Sequence, residues 1–212
     1  MSDELIAHLS ADLRPAPRLL VARRLALGVG AGAAVSAVLT AATLGPRPDI
    51  ARAAGEAMFW IKLAYTLALG GLALWACERL ARPGATPRGR LPWMLAPVLA
   101  LAAIASWQLM HAPGPLRMPM VMGHSSQVCP WWIWGFALPP LTGLVWAVRG
   151  LAPTRLRLTG AMIGLAAGGV GAAVYALHCD EGAAPFLMVW YTLGVAASGL
   201  TGLLAGPRLL RW

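Results

Sequence analysis

The stretch RRLALGVGAGAAVSAVLTAATL, from Arg23 to Leu44, decides the fold. After its two arginines it runs 20 residues without a charge, and about 20 apolar residues is what an α-helix needs to cross the hydrocarbon core of a bilayer. A secretory signal peptide has a shorter apolar core, of roughly 7–15 residues, and Asp3, Glu4 and Asp12 ahead of this one also argue against cleavage. The stretch therefore reads as a first membrane helix. Inside it Gly28, Gly32, Ser36 and Thr40 recur at four-residue spacing, the arrangement that lets helix backbones approach closely in lipid.

The same reading extends along the whole chain. Of its 212 residues 58% are hydrophobic and 12% charged, with a mean hydropathy of +0.66, which excludes a soluble enzyme. Apolar runs place six spans at about 25–45, 57–78, 92–111, 128–148, 158–177 and 185–205, joined by connectors rich in Pro, Gly and charge. Small-residue stripes recur in the fifth span (Gly160, Gly164, Gly168, Ala172, Ala176) and the sixth (Gly194, Ser198, Gly202, Gly206). These two and the first are expected to pack against one another or against a second copy, which leaves a homodimer open. Pro97 and Pro139-Pro140 are expected to kink their helices. Lys62, close to one end of its span, is expected to snorkel to the membrane interface.

Sixteen arginines and one lysine against eight acids give a net charge of +9. The arginines form short clusters between apolar runs instead of a face interleaved with stacking aromatics, so they argue topology and not nucleic-acid binding. Thirteen of them lie in the N-terminal segment, the second and fourth connectors and the C-terminal tail, against Arg47, Arg52 and Arg117 on the other side. The expectation is an all-α, polytopic membrane protein of six transmembrane helices with both termini cytoplasmic. Its parts are a cytoplasmic amphipathic segment (1–24), a six-helix membrane domain (25–205) and a short cytoplasmic tail (206–212).

Chemistry is sparse. No phosphate-binding loop, nucleophile elbow, zinc-protease helix or CxxC stands in the required context, and no carboxylate lies at mid-depth, which disfavours a proton-coupled transporter. The unusual polar residues gather at one membrane face: His111 and His124 in the third connector, Cys129 opening the fourth span, and His178-Cys179-Asp180-Glu181 closing the fifth. Cys77 falls at the opposite face. Cys129 and Cys179 thus share a depth and face a compartment that oxidises thiols. They would form a disulfide closing a loop of about 50 residues, or supply soft ligands, with His124 or His178, to a metal such as zinc, cadmium or copper. Any metal so held would be transient, and no resident cofactor is expected. His178 alone would serve equally well as a cap on the end of the fifth span.

At the N-terminus Ser2 suits a helix cap, Asp3 and Glu4 suit the positive helix start, and Leu5, Ile6, Leu9 and Leu13 share one face. Such a helix either lies among lipid headgroups or fills a groove on a soluble partner. Its acidic start favours the partner.

Taken together, the opening DELIAHLSADLRPAPRL, the SQVCPWW and ALPP stretches between Ser126 and Pro140, the YALHCDEGAAPFLMVWY stretch from Tyr175 to Tyr191 and the closing LLAGPRLLRW make the chain resemble the NrsF family of bacterial inner-membrane anti-sigma factors. The resemblance implies six membrane helices and a cytoplasmic N-terminal segment that holds an extracytoplasmic-function sigma factor away from RNA polymerase. It also implies that Cys129 and Cys179 take part in releasing that factor under metal or oxidative stress. It implies no enzyme activity. The alternatives from the residues are a membrane thiol oxidoreductase, disfavoured because each site has a single thiol, and a small metal transporter, disfavoured because little but Gly, Ala and Leu continues inward from the cysteines.

Overall fold

A computed structural model of the chain describes residue 11, residues 19–87 and residues 89–211. Leu5, Ile6, Leu9 and Leu13 lie outside these described residues. Among the described residues all regular structure is helical. Six helices are long and apolar enough to cross a membrane: α1 (Leu20–Thr43), α2 (Ala57–Leu80), α3 (Leu91–His111), then, after a short α4 (Gly114–Met122), α5 (Cys129–Arg149), α6 (Leu156–Tyr175) and α7 (Ala184–Leu209). A helix satisfies its backbone hydrogen bonds within one segment, which a charge-free run in lipid requires. Prolines near the first turns of α4, α5 and α7 fit there because the missing N–H would have no helical acceptor anyway.

The third connector does not stay irregular as its composition suggests. Pro113 and Pro115 start α4, and Gly123, at φ +53°, ends it. Helix α7 contains a π-helical turn at Leu187–Tyr191, a feature without a signal in its apolar sequence.

Helix α6 is the hub: 72% of its spanning window is buried inside the protein, against 11% for α3. Its stripe meets that of α7 so closely that a Cβ on Gly160 would overlap the carbonyl oxygen of Gly202, and one on Gly202 that of Gly160. The expected pairing of these two stripes is therefore seen. The α1 stripe is buried too, but its main partner is α5, against the expectation that it would meet the other two: Gly28 and Gly143 cross in backbone contact, and Gly32 sits on Pro140. Proline chemistry explains the choice. Pro140 has no N–H to give the carbonyl of Phe136, four residues earlier, and Ser36 Oγ on α1 donates to that oxygen at 2.7 Å. All three stripes are thus engaged within one chain, and none argues for a dimer.

Two buried clusters cap the two ends. One gathers Leu25, Cys77, Leu80, Val148 and Leu210, near the arginine-rich connectors. There Arg24 reaches the Gly150 carbonyl and stands over Trp146, while Glu78 pairs with Arg82 at 3.1 Å and Arg90 at 3.6 Å. The other cluster contains Cys129 and Cys179.

Candidate functional site

The thiol-end cluster is built by the first half of α2, the last half of α3, the start of α5, the end of α6 and the start of α7, which contribute Tyr65, Leu101, Cys129, Tyr175 and Tyr191 among others. Cys129, the first residue of α5, is completely buried and donates its N–H to the Ser125 carbonyl at 2.8 Å. Cys179 follows the C-terminus of α6, is 3% exposed and donates its N–H to Tyr175. Both are free thiols, as is Cys77 in the opposite cluster. The π turn carries Tyr191 inward, where its ring lies 6.0 Å from that of Tyr175 and 6.5 Å from that of Phe186. Its buried hydroxyl has no hydrogen-bond partner among the described residues.

Lys62 does not snorkel. Its side chain is 1% exposed, its Nζ donates to the Cys179 carbonyl at 3.0 Å, and it stands 5.6 Å over the Tyr191 ring. The direction of α2 explains the correction: Lys62 lies on the α2 face turned toward α6 and α7, so the aliphatic stem is clamped by protein instead of running out along lipid.

The histidines go elsewhere. The His178 ring donates from Nδ1 to the Gly45 carbonyl at 2.9 Å, tying the end of α6 to the first connector instead of capping α6. The His124 ring is fully exposed, 3.8 Å from Glu181 Oε1, and His111 bonds the Trp107 carbonyl on its own helix. The two cysteines are therefore brought into one cluster while His124 and His178 have other partners. No three His, Cys, Asp or Glu side chains among the described residues group as a metal ion would require.

Two anchors hold the loops around this cluster. The Glu181 carboxylate, 9% exposed, accepts the backbone N–H of His124 at 2.5 Å and of Ser125 at 3.1 Å, in a hollow open only because residue 123 is glycine. At the first connector Arg47 forks onto Asp49 at 2.7 and 2.8 Å and Arg52 adds a third contact, which together hold the Asp49 carboxyl well below the usual carboxylate range. The Arg47 N–H in turn reaches the Leu177 carbonyl. Neither anchor was foreseen from sequence. The available signal for Glu181 was an acid two residues after Cys179, matched by a glycine six residues before Cys129. Glu181→Ala is expected to strand both amides at a cost of about 2 kcal/mol, lowering the thermal midpoint of the detergent-solubilised protein by roughly 4–8 °C. Glu181→Gln, which keeps an acceptor oxygen, should lose less.

The family model whose description is "Negative regulator of sigma F" matches residues 9–212, a range that includes both end clusters and α1 to α7. The chain belongs to the NrsF family. The anti-sigma-F factor NrsF of Caulobacter vibrioides (strain NA1000 / CB15N) is 41% identical over 214 residues, covering 100% of this chain and 99% of the relative. A probable anti-sigma-F factor NrsF of Azospira oryzae (strain ATCC BAA-33 / DSM 13638 / PS) is 37% identical over 211 residues, with the same coverage. No solved structure matches. NrsF membership makes the chain a negative regulator in an anti-sigma factor family, not an enzyme, and calls for no cofactor.

Proposed function

We propose that this chain is an anti-sigma factor of the bacterial inner membrane that holds a sigma factor of the extracytoplasmic-function class through residues 1–24 and releases it when Cys129 and Cys179 react with a metal ion or an oxidant. Both termini face the cytoplasm, residues 25–205 form the membrane domain and 206–212 a short tail. Leu5, Ile6, Leu9 and Leu13 are the docking face. The observation carrying this reading is that Cys129 and Cys179 share one buried cluster while the arginine-rich connectors surround the other end. By the charge rule for loops the arginine end is cytoplasmic and the thiol end outside.

Release needs two packings of the bundle whose balance depends on the state of the thiols. A bond made at Cys129 and Cys179 acts on α5 and α6, and α6 touches α7, α5 and α2, so a change at the thiol end is passed to helices whose other ends lie among the arginines. Cys129→Ser and Cys179→Ser are each expected to keep the sigma-dependent reporter silent and to remove its response to cadmium and to a thiol oxidant. Full induction in both variants would overturn the reading. Its topology is checked with exposed positions, because the native thiols are buried: His124→Cys should react with an impermeant maleimide in whole cells, and Thr154→Cys only after permeabilisation.

A further inference from the structure

Lys62 presents a problem of charge. Its ammonium is buried, and among the described residues no carboxylate lies within 4.0 Å of it. The ionisable groups around it include Tyr191, whose ring it faces, and Cys179, Arg47, Cys129 and Glu181. Glu181 is committed to the amides of His124 and Ser125, and Arg47 adds a like charge. A carbonyl oxygen and an aromatic face, which are what Lys62 does have, carry only partial negative charge. A buried unpaired cation is costly, and the groups placed to supply a full negative charge are the two thiols.

The count of charges then selects among occupants. Two thiolates holding a monovalent cation carry a net charge of −1, which Lys62 cancels. With a divalent cation the same pair is neutral, and Lys62 stays uncompensated. The donors point the same way. Met188 packs against the cluster that contains the cysteines, and no carboxylate or imidazole groups with the two thiols. Thiolate sulfur is a soft donor.

We propose that Lys62 is the charge-balancing residue of the Cys129/Cys179 site and sets its preference for a soft monovalent cation over a soft divalent one. The inference rests on the thiol-sensing reading above. Binding breaks two S–H bonds and forms two S–metal bonds. Two protons pass to the solution on the thiol side, and no electron is transferred. Lys62 acts through its fixed charge and its hold on the Cys179 carbonyl, and is a positioning residue for the site.

The test uses the full-length protein in detergent, carrying Cys77→Ala, titrated with silver(I) or cadmium(II) against a competing chelator and followed by sulfur-to-metal charge-transfer absorbance. Lys62→Met and Lys62→Gln are both expected to weaken silver(I) binding at least tenfold while cadmium(II) changes less than threefold, and Lys62→Arg to stay near the parent for both ions. Because methionine removes a buried charge and keeps the volume, that variant should fold, and glutamine is a second uncharged test of the same idea. Equal losses for the two ions would reduce Lys62 to a shape-filling role and overturn the proposal. No change for either ion would overturn it as well, and so would failure of the parent to bind silver(I). In that last case a Cys129-dependent reporter response to a thiol oxidant would leave the sensing reading standing.

Discussion

Gly202→Val is expected to disassemble the bundle. The α6–α7 crossing brings the Gly160 and Gly202 backbones into direct contact, so even the Cβ of a larger residue overlaps a carbonyl oxygen that belongs to a helix and cannot swing aside. In lipid there is little hydrophobic gain to hold separated helices together, and association depends on close packing and hydrogen bonds. Overpacking in a close-fitted interior costs about 1–3 kcal/mol even when side chains can yield. Backbone against backbone leaves nothing to yield, and a loss above about 3 kcal/mol is expected. Because α6 is the hub, the damage reaches α5 and α2 through Gly171 and Gly169, which make their own close contacts. In titrations with sodium dodecyl sulfate, followed by tryptophan fluorescence, the variant should unfold at a markedly lower detergent fraction. Gly30→Val is the control, since nothing lies within 4 Å of a Cβ there. Equal midpoints for the two variants would refute the account of the crossing.

Leu9→Asp is expected to free the sigma factor constitutively. Burying one leucine in a groove contributes about 1.5–3 kcal/mol, and an aspartate in its place would also leave a desolvated charge without a partner. Together these weaken retention at least about 100-fold, enough to switch a sigma-dependent reporter fully on without any inducer. Ala11, the one described residue among the first 18, is helical and exposed. On the helix expected from the sequence, at about 100° per residue, it would lie opposite Leu9, so Ala11→Asp should leave repression intact. A silent reporter with Leu9→Asp would remove the leucine face from the docking model. An active reporter with both variants would mean that charge alone, and not the apolar face, breaks the contact.

The six long helices were legible because each is a run of about 20 residues nearly free of charge, and that property is local. The alternation of such helices also put Cys129 and Cys179 at one end and Cys77 at the other, where the structure has them. Side-by-side choices were not legible. The α1 stripe looks like those of α6 and α7, and its actual partner is chosen by a carbonyl that Pro140 leaves without a donor, a fact about two distant segments. Helix α4 was hidden by Pro119 in its interior, a residue that normally marks a break. For Lys62, position along the helix was readable but the face was not, so a buried link to Cys179 was mistaken for an interfacial side chain. Glu181 escaped for a similar reason: its carboxylate is taken up by the amides beside Gly123, 58 residues earlier in the chain.

The π turn at Leu187–Tyr191 separates two phases of α7. Ahead of it, Ala184 and Phe186 address the thiol-end cluster, and after it Gly194, Ser198, Gly202 and Gly206 address α5 and α6. A regular helix advances about 100° per residue, so one residue fewer inside the turn would rotate one half of α7 by that angle against the other. The glycines and the tyrosine could then no longer both find their neighbours. The length of this segment is thus as much a determinant of the protein as its composition: α7 should tolerate many apolar exchanges on its lipid side, yet not the removal of any single amino acid between Leu187 and Tyr191.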